Sequence, residues 1–426
     1  MKVSSVAWSL LGLGLPPLAA LLFIPPLLST LGTERFGLLS LIWALTALSG
    51  LLDLGIGRAT TKIIAGQQAN GSSRAMLATA SAAVRLTGIS GSVGGLLIAS
   101  TLLVDLRSAL RVQEVSSTEL INTTLLLAFM VPSQALAATY RGIAEGLQCF
   151  RGISLIRMSL GVANFGAPWL VARFTTNLSW AVASLLITRL LALAAFALIK
   201  RNQLPADGRD IEIEEHQQRQ RELLSAGGWL SVSAVVSPLL VQADRFAIAA
   251  IVSAAAVTAY ALPFDIITQL LIIPSAIAAV ALPSLSGQIA AAVRQAKDSF
   301  RQWTVAVALL MAGLTGITAL VLPAALSLWL GRAVSDESIS VGRWICLGVW
   351  LNSIGAMHYT WLHAHGRFRA TAMLHLIELP LYALMLTTLL HWHGVVGAAI
   401  AWVLRVSADT LGLYALSRQH DPEHAT

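Results

Sequence analysis

The sequence predicts an all-α polytopic membrane protein, with twelve transmembrane helices in two six-helix bundles. Three observations carry that expectation. Of 426 residues, 56% are hydrophobic and only 12% charged, whereas a soluble domain carries about 25% charge. The apolar residues fall in runs of about twenty or more, the length of helix that crosses a bilayer. The one long hydrophilic stretch, Lys200 to Glu222, has six such runs before it and six after. Its composition suits a solvated linker rather than a packed domain. The expected organisation is an N-terminal lobe over residues 1–200, a cytoplasmic linker over 201–222 and a C-terminal lobe over 223–426.

Taken in order, the expected spans are 4–29, 37–57, 76–104, 119–140, 153–172, 178–199, 223–248, 257–285, 302–330, 340–363, 370–390 and 394–416. The first is read as a span, not a removed signal, because no small-residue cleavage site and soluble domain follow it. Lys and Arg then test the orientation. With the N-terminus inside, eighteen of the 28 fall on the inner side and six on the outer: Arg35, Arg107, Arg111, Arg173, Arg332 and Arg343. Arg85, Arg189, Arg245 and Arg405 lie within spans. That bias in short loops places both termini in the cytoplasm. It also accounts for the net charge of +7 and pI near 9.9 without nucleic acid. Cys149 and Cys346 lack metal-type spacing and read as buried thiols.

Phe36 to Arg74 shows the plan in small: an apolar span, Asp53 in the small-residue run Asp53-Leu54-Gly55-Ile56-Gly57, and a basic exit carrying Arg58, Lys62 and Arg74. Asp53 reads as a brace for backbone at a Gly-rich helix end in preference to an ion ligand. A weak echo relates Phe36-Gly37 through Gly66-Gln67 to Tyr260-Ala261 through Gly287-Gln288.

A charge at the bilayer centre costs roughly 3 kcal/mol or more, so residues that carry one face a cavity or a partner. Helical spacing sorts them by face. Ser81, Arg85, Gly88 and Ser92 share a stripe, as do Asp265, Gln269 and Ser275. So do Asn352, Ala356, Tyr359 and His363, and Thr371, His375, Glu378 and Tyr382. Arg405 and Asp409 stand four apart. These stripes imply a hydrated space between the halves. The substrate-cavity candidates are Arg85, Arg189, Arg245, Arg405, Tyr359 and Asn352; the candidate coupling carboxylates are Asp265, Glu378 and Asp244. Several alternatives stay open. Arg85 snorkels or lines the cavity. Arg405 and Asp409 form a structural pair or a ligand site. Asp244 and Arg245 belong to the cavity or to the outer interface. Glu378 and His375 form a proton relay or a buried bonded pair. Pro16-Pro17, Pro25-Pro26, Pro263, Pro274 and Pro283 bend spans one and eight, as a rocking transporter requires. No nucleotide-binding loop or zinc-protease motif is present, and His363-x-His365 and His391-x-His393 are too sparse for a metal site. No cofactor or metal is expected, and no enzymatic activity.

Several segments resemble one family. Gly32 with Phe36-Gly37, then Asp53-Leu54-Gly55 and Ile63-Ile64-Ala65, is similar to the opening of Wzx/RfbX-type polysaccharide (O-antigen) flippases. Arg141-Gly142-Ile143-Ala144-Glu145-Gly146-Leu147-Gln148-Cys149-Phe150-Arg151 resembles that family's fourth-helix exit, where Arg is more usual than Cys149. Asp244-Arg245-Phe246, then Tyr260, Pro274 and Pro283, resembles its seventh and eighth helices; Leu328-Trp329-Leu330-Gly331 and Gly366-Arg367 resemble its later half. Asp53, Gly55, Arg58, Glu145 and Gly146 are thereby structural-motif candidates.

The resemblance implies the multidrug/oligosaccharidyl-lipid/polysaccharide (MOP) superfamily: two-lobed, V-shaped, MATE-like proteins that work by alternating access in the bacterial inner membrane. It implies translocation of undecaprenyl-diphosphate-linked oligosaccharide from the cytoplasmic to the periplasmic leaflet, for surface polysaccharide such as O-antigen, lipopolysaccharide or exopolysaccharide. The implied partners are that lipid-linked oligosaccharide, the bilayer, a coupling ion (H+ or Na+), a polysaccharide polymerase and a chain-length regulator. Arg guanidinium groups in the cavity suit a diphosphate. The main rival is a cation-coupled multidrug exporter of the MATE type. A lipid II flippase would need fourteen spans, and a membrane polymerase or ligase would need large outer loops; the longest here is about Asp105 to Thr118.

Overall fold

A computed structural model describes residues 3–48, 55–204, 220, 223, 241–331 and 334–418. Lipid offers no hydrogen bonds to a bare backbone, so a chain this apolar must satisfy its peptide groups within helices. Among the described residues the regular structure is helical. α1 is Val3–Leu48, α2 Ile56–Ala69, α3 Ser73–Ser100, α4 the single turn Leu106–Ala109, α5 Ser117–Gly146, α6 Phe150–Ala172 and α7 Leu178–Gln203. α8 covers 241–251. α9 is Ala254–Ile267, α10 Ile272–Ala291, α11 Val293–Leu330, α12 Asp336–Ala364 and α13 Phe368–Arg418. Eight of the described helical stretches are long and apolar enough to cross a membrane. Ten of the twelve expected spans fall on described helices; the second, 37–57, is described to 48 and again from 55, and the seventh, 223–248, continuously only from 241.

Two of the described helices are broken, so that each carries two of the expected spans. α1 leaves helical geometry at Gly32 and α13 at Gly394. At Gly394 (φ 56°) the left-handed backbone favours glycine. The two segments of α13 fold back on each other there. The Leu389 carbonyl fills the space a Cβ on Gly397 would take, and Leu374 Cδ1 lies 2.9 Å from where a Cβ on Gly412 would sit. In a continuous helix residues 389 and 397 would stand about 12 Å apart.

The second expected span, 37–57, ends earlier than read. Gly55 (φ 71°) starts a separate helix, α2, so the basic exit is not simply a polar tail. Ile56, Ala59, Thr60 and Ile64 are buried while Arg58 and Lys62 are exposed. Asp53 and Leu54 lie outside the described residues.

The chain divides into two compact units, Met1–Gln242 and Ala243–Thr426. In the first, α5 packs against α2, α3 and α7, and α6 packs against α1 and α7. Small residues set these approaches, as expected where lipid removes the hydrophobic drive for association. The Gly57 carbonyl fills the space beside Gly142, and Thr61 Oγ1 donates to the carbonyls of Gly57 and Gly142, both at 3.0 Å. A Cβ on Gly146 would stand 2.9 Å from that of Ile64. Thr87 and Thr139 bridge α3 to α5 through their hydroxyls at 2.7 Å. Glu145 pairs with Arg141 one turn earlier at 3.6 Å on a half-exposed face.

Two glutamates tie the end expected to be periplasmic. Glu34 accepts the backbone N–H groups of Gln113, Glu114 and Val115 at 2.7–3.0 Å. Glu119 receives Arg35 through Nε (3.0 Å) and Nη2 (3.2 Å), and also the N–H of Leu178 (2.6 Å). In the second unit α12 is central, packing on α9, α10, α11 and α13.

Candidate functional site

The second unit holds a buried polar seam. It begins on α8, where Asp244 is fully buried. Its Oδ1 accepts the Arg245 backbone N–H at 2.9 Å, and its Oδ2 accepts the Tyr260 hydroxyl from α9. Arg245, 4% exposed, reaches Asp265 on α9 in an ion pair. These two residues, left open between cavity and outer interface, therefore sit inside the unit's packing. Asp265 is the half-exposed member of its pair, with 47% of its side chain accessible.

The seam continues on α13. Tyr382 is buried, its hydroxyl lacks a hydrogen-bond partner, and the Arg405 guanidinium lies over its ring at 5.6 Å. One turn away, His375 Nε2 stands 3.5 Å from Asp409 Oδ1, and Glu378 points at both. The hairpin at Gly394 explains the pairings. It runs Leu389 beside Gly397, Tyr382 beside Arg405, His375 beside Asp409 and Leu374 beside Gly412. Arg405 and Asp409 make no ion pair with each other; each turns to a residue on the facing segment. Beside this cluster, Tyr359 stacks on His375 with ring centroids 6.2 Å apart, and His363 lies 3.2 Å from the Thr371 hydroxyl. Asn352 is half-buried on the same helix as Tyr359.

The first unit holds a buried arginine of another kind. Arg189 on α7 is 7% exposed and donates through Nη2 to Asn164 Oδ1 of α6 at 3.0 Å. It has no carboxylate partner among the described residues, and its Nε is buried without an acceptor. Arg85 is exposed on α3. The six cavity candidates thus fall into distinct settings: Arg245 committed to a carboxylate, Arg405 to an aromatic face, Arg189 to an amide, and Arg85 open. Tyr359 and Asn352 border the α13 cluster or its helix. The three carboxylate candidates differ as well. Asp244 is saturated, Asp265 is paired, and Glu378 meets no donor in hydrogen-bond geometry.

Sequence spacing missed Tyr260, Asn164 and Glu119. Each acts on a residue in another helix, and single-helix periodicity carries no signal for such pairs. His375 and Asp409 were visible in stripes but not as partners.

The chain matches the family model for polysaccharide biosynthesis proteins over residues 3–289. It is 28% identical over 415 residues, 96% of each chain, to a Shigella flexneri protein named "Putative O-antigen transporter". Its fold matches an inward-facing multidrug resistance MATE family transporter of the MOP superfamily at TM-score 0.73 and 16% identity, covering 96% of this chain and 97% of the other. It matches lipid II flippase MurJ in an inward closed conformation at TM-score 0.70 and 12% identity, covering 96% and 87%. The named relatives are transporters and a flippase, and none is an enzyme. With its many apolar helices, the chain is a multi-pass membrane protein with the fold of the MOP superfamily, and it belongs to the polysaccharide biosynthesis protein family.

Proposed function

We propose that this protein flips an undecaprenyl-diphosphate-linked oligosaccharide from the cytoplasmic to the periplasmic leaflet of a bacterial inner membrane, for surface polysaccharide assembly. The observation that carries the reading is likeness over 96% of both chains to the Shigella protein, within a polysaccharide biosynthesis family. The working halves are residues 1–200 and 223–426, joined by a cytoplasmic linker at 201–222, with both termini cytoplasmic and alternating access as the mode of action. A polymerase and a chain-length regulator act downstream on the delivered unit.

The diphosphate needs cations that no carboxylate already neutralises. Arg189 and Arg85 meet that requirement; Arg245 does so less well, because Asp265 holds it. Arg405 binds substrate only if it leaves the Tyr382 ring. Tyr359 and Asn352 offer an aromatic face and an amide to sugars. Of the carboxylates, Glu378 is the best placed to exchange H+ or Na+ and couple transport, since Asp244 and Asp265 already hold donors. The MATE-type exporter reading gains nothing from the fold, because a MATE protein and MurJ match about equally well.

The test is complementation of a strain lacking this protein, with surface glycan read by gel and antibody. Arg189→Ala and Arg85→Ala should each lower display while the protein stays inserted at normal levels. Normal display in both, and in Arg245→Ala, would sink the arginine assignment. Drug efflux without glycan display in the wild type would favour the exporter.

A further inference from the structure

Glu378 is a buried carboxylate, 6% exposed, to which no N–H or hydroxyl donates among the described residues; its near neighbour is another carboxyl, that of Asp409. It faces two further ligand groups. The ligand atoms of His375, Glu378 and Asp409 all lie within 4.8 Å of one another. Asp409 Oδ1, 3.5 Å from His375 Nε2, is likewise buried without a hydrogen bond. The three come from opposite segments of the α13 hairpin.

Two ionised carboxylates this close repel each other and have lost their water. A cation between them would cancel both costs. Arg405 is not that cation, because its guanidinium lies over Tyr382 and pairs directly with neither. The donor set narrows the choice. One imidazole nitrogen and two carboxylate oxygens suit zinc or another first-row divalent ion, at about 2.0–2.2 Å per bond. Magnesium and calcium prefer all-oxygen shells with more ligands. A divalent charge with a neutral imidazole and two carboxylates sums to zero, which a buried site favours.

The geometry points to a divalent transition-metal site formed by His375 Nε2, the Glu378 carboxylate and Asp409 Oδ1, with one coordination position open. The bound ion cross-links the two segments of the α13 hairpin. His375 and Asp409 lie roughly 10–14 Å along the helix from the ends at Phe368 and Arg418, by the rise per residue. That is the end expected to face the cytoplasm. The partial exposure of the His375 and Asp409 side chains, 28% and 15%, leaves a way in. A metal bound here takes the place of the H+ or Na+ exchange considered above for Glu378, and the site does not depend on which substrate the protein moves.

The test uses the purified full chain in detergent, with Co2+ as a spectroscopic probe and Zn2+ in thermal unfolding. One Co2+ should bind per chain with visible ligand-field bands, and Zn2+ should raise the unfolding midpoint. Glu378→Gln, Asp409→Asn and His375→Ala should each weaken Co2+ binding at least tenfold. His391→Ala with His393→Ala should leave it unchanged, and millimolar Na+ or Mg2+ should not displace the metal. The Gln and Asn variants keep side-chain shape, so circular dichroism separates lost binding from lost fold. The site is overturned if Co2+ does not bind, if binding survives all three substitutions in folded protein, if it is lost with His391 and His393, or if Na+ competes equally. Failed glycan transport with intact Co2+ binding would count against the flippase and leave the site standing.

Discussion

Arg189 is the residue at which fold stability and transport make opposite demands. Consider Arg189→Met, which keeps length and apolar volume but removes the charge. The loss is one charge-assisted hydrogen bond to Asn164 at 3.0 Å, worth about 1.5–3 kcal/mol. Asn164 is itself only half-buried, so water can take its place there. The gain is removal of a guanidinium that is 7% exposed and has no carboxylate beside it, a burial that costs several kcal/mol even after relaxation. The two nearly cancel. Arg189→Met should unfold within about 1 kcal/mol of wild type or later, a shift of a few degrees at most. Glycan display should nevertheless fall sharply, because the cation is lost. The measurements are the apparent unfolding midpoint of purified protein and surface glycan in the complemented strain. A large drop in midpoint would make Arg189 a structural residue. Unchanged display would remove it from the substrate path.

Three more outcomes follow from the packing. Glu119→Ala strands both Arg35 and the Leu178 N–H, and breaking such a pair costs about 3–5 kcal/mol, toward the lower end here because Arg35 is partly exposed; a double-mutant cycle with Arg35→Ala should show coupling well above about 0.5 kcal/mol, and simple additivity would refute the pair. Gly142→Ala drives a methyl into the Gly57 carbonyl, with backbone rather than a side chain in the way, so overpacking should cost about 1–3 kcal/mol; an unchanged unfolding midpoint would show that α2 and α5 do not approach as described. Tyr260→Phe leaves buried Asp244 Oδ2 without its donor, at about 1–3 kcal/mol; Asp244→Asn in the same chain should recover part of that loss, and if it adds a further full penalty the Tyr260–Asp244 contact is not the cause.

The helices were legible because lipid leaves the backbone no other way to satisfy itself. Length and charge interruption were then enough to place most spans. The stripe Thr371, His375, Glu378 and Tyr382 was legible for a related reason: one helix has one period, and spacing alone puts these residues on a common face. What spacing cannot give is register between helices. Asp244 finds Tyr260 sixteen residues on, Arg245 finds Asp265 twenty on, and Glu34 caps backbone some eighty residues away. Each depends on how helices slide and rotate against one another, which small residues such as Gly142 and Gly397 decide. Of the two readings left open for Arg405 and Asp409, a direct pair between them is not made, for this reason. Residues four apart on a helix are neighbours, but the facing segment offered each a better partner. α2 was missed because its charges stood out over the weaker periodicity of Ile56, Ala59, Thr60 and Ile64.

The buried ionic groups left without a counter-charge or donor differ in sign between the units, and packing does not explain them. In the first unit Arg189 is buried with no carboxylate beside it, whereas the buried Glu34 and Glu119 are held by backbone N–H groups and Arg35. In the second, Asp244 and Asp265 hold donors, but both Glu378 oxygens and Asp409 Oδ1 are buried with none. Burying charge in a membrane protein is expensive, and well-packed apolar side chains of the same volume would hold the helices at least as firmly. The small-residue contacts of α2, α3 and α5 already do that in the first unit without ionic help. A sequence that keeps an uncompensated cation buried in one unit and uncompensated carboxylates in the other therefore gives up stability for something outside the fold. Ligands of opposite charge are the simplest physical reason: an anionic diphosphate for the arginines and a small cation for Glu378 and Asp409. That reasoning makes the isosteric variants decisive. Arg189→Met and Glu378→Gln should both leave the protein about as stable as wild type, or more so, while each removes a different ligand. If either instead unfolds the chain, its charge belongs to the architecture and the division of labour fails on that side.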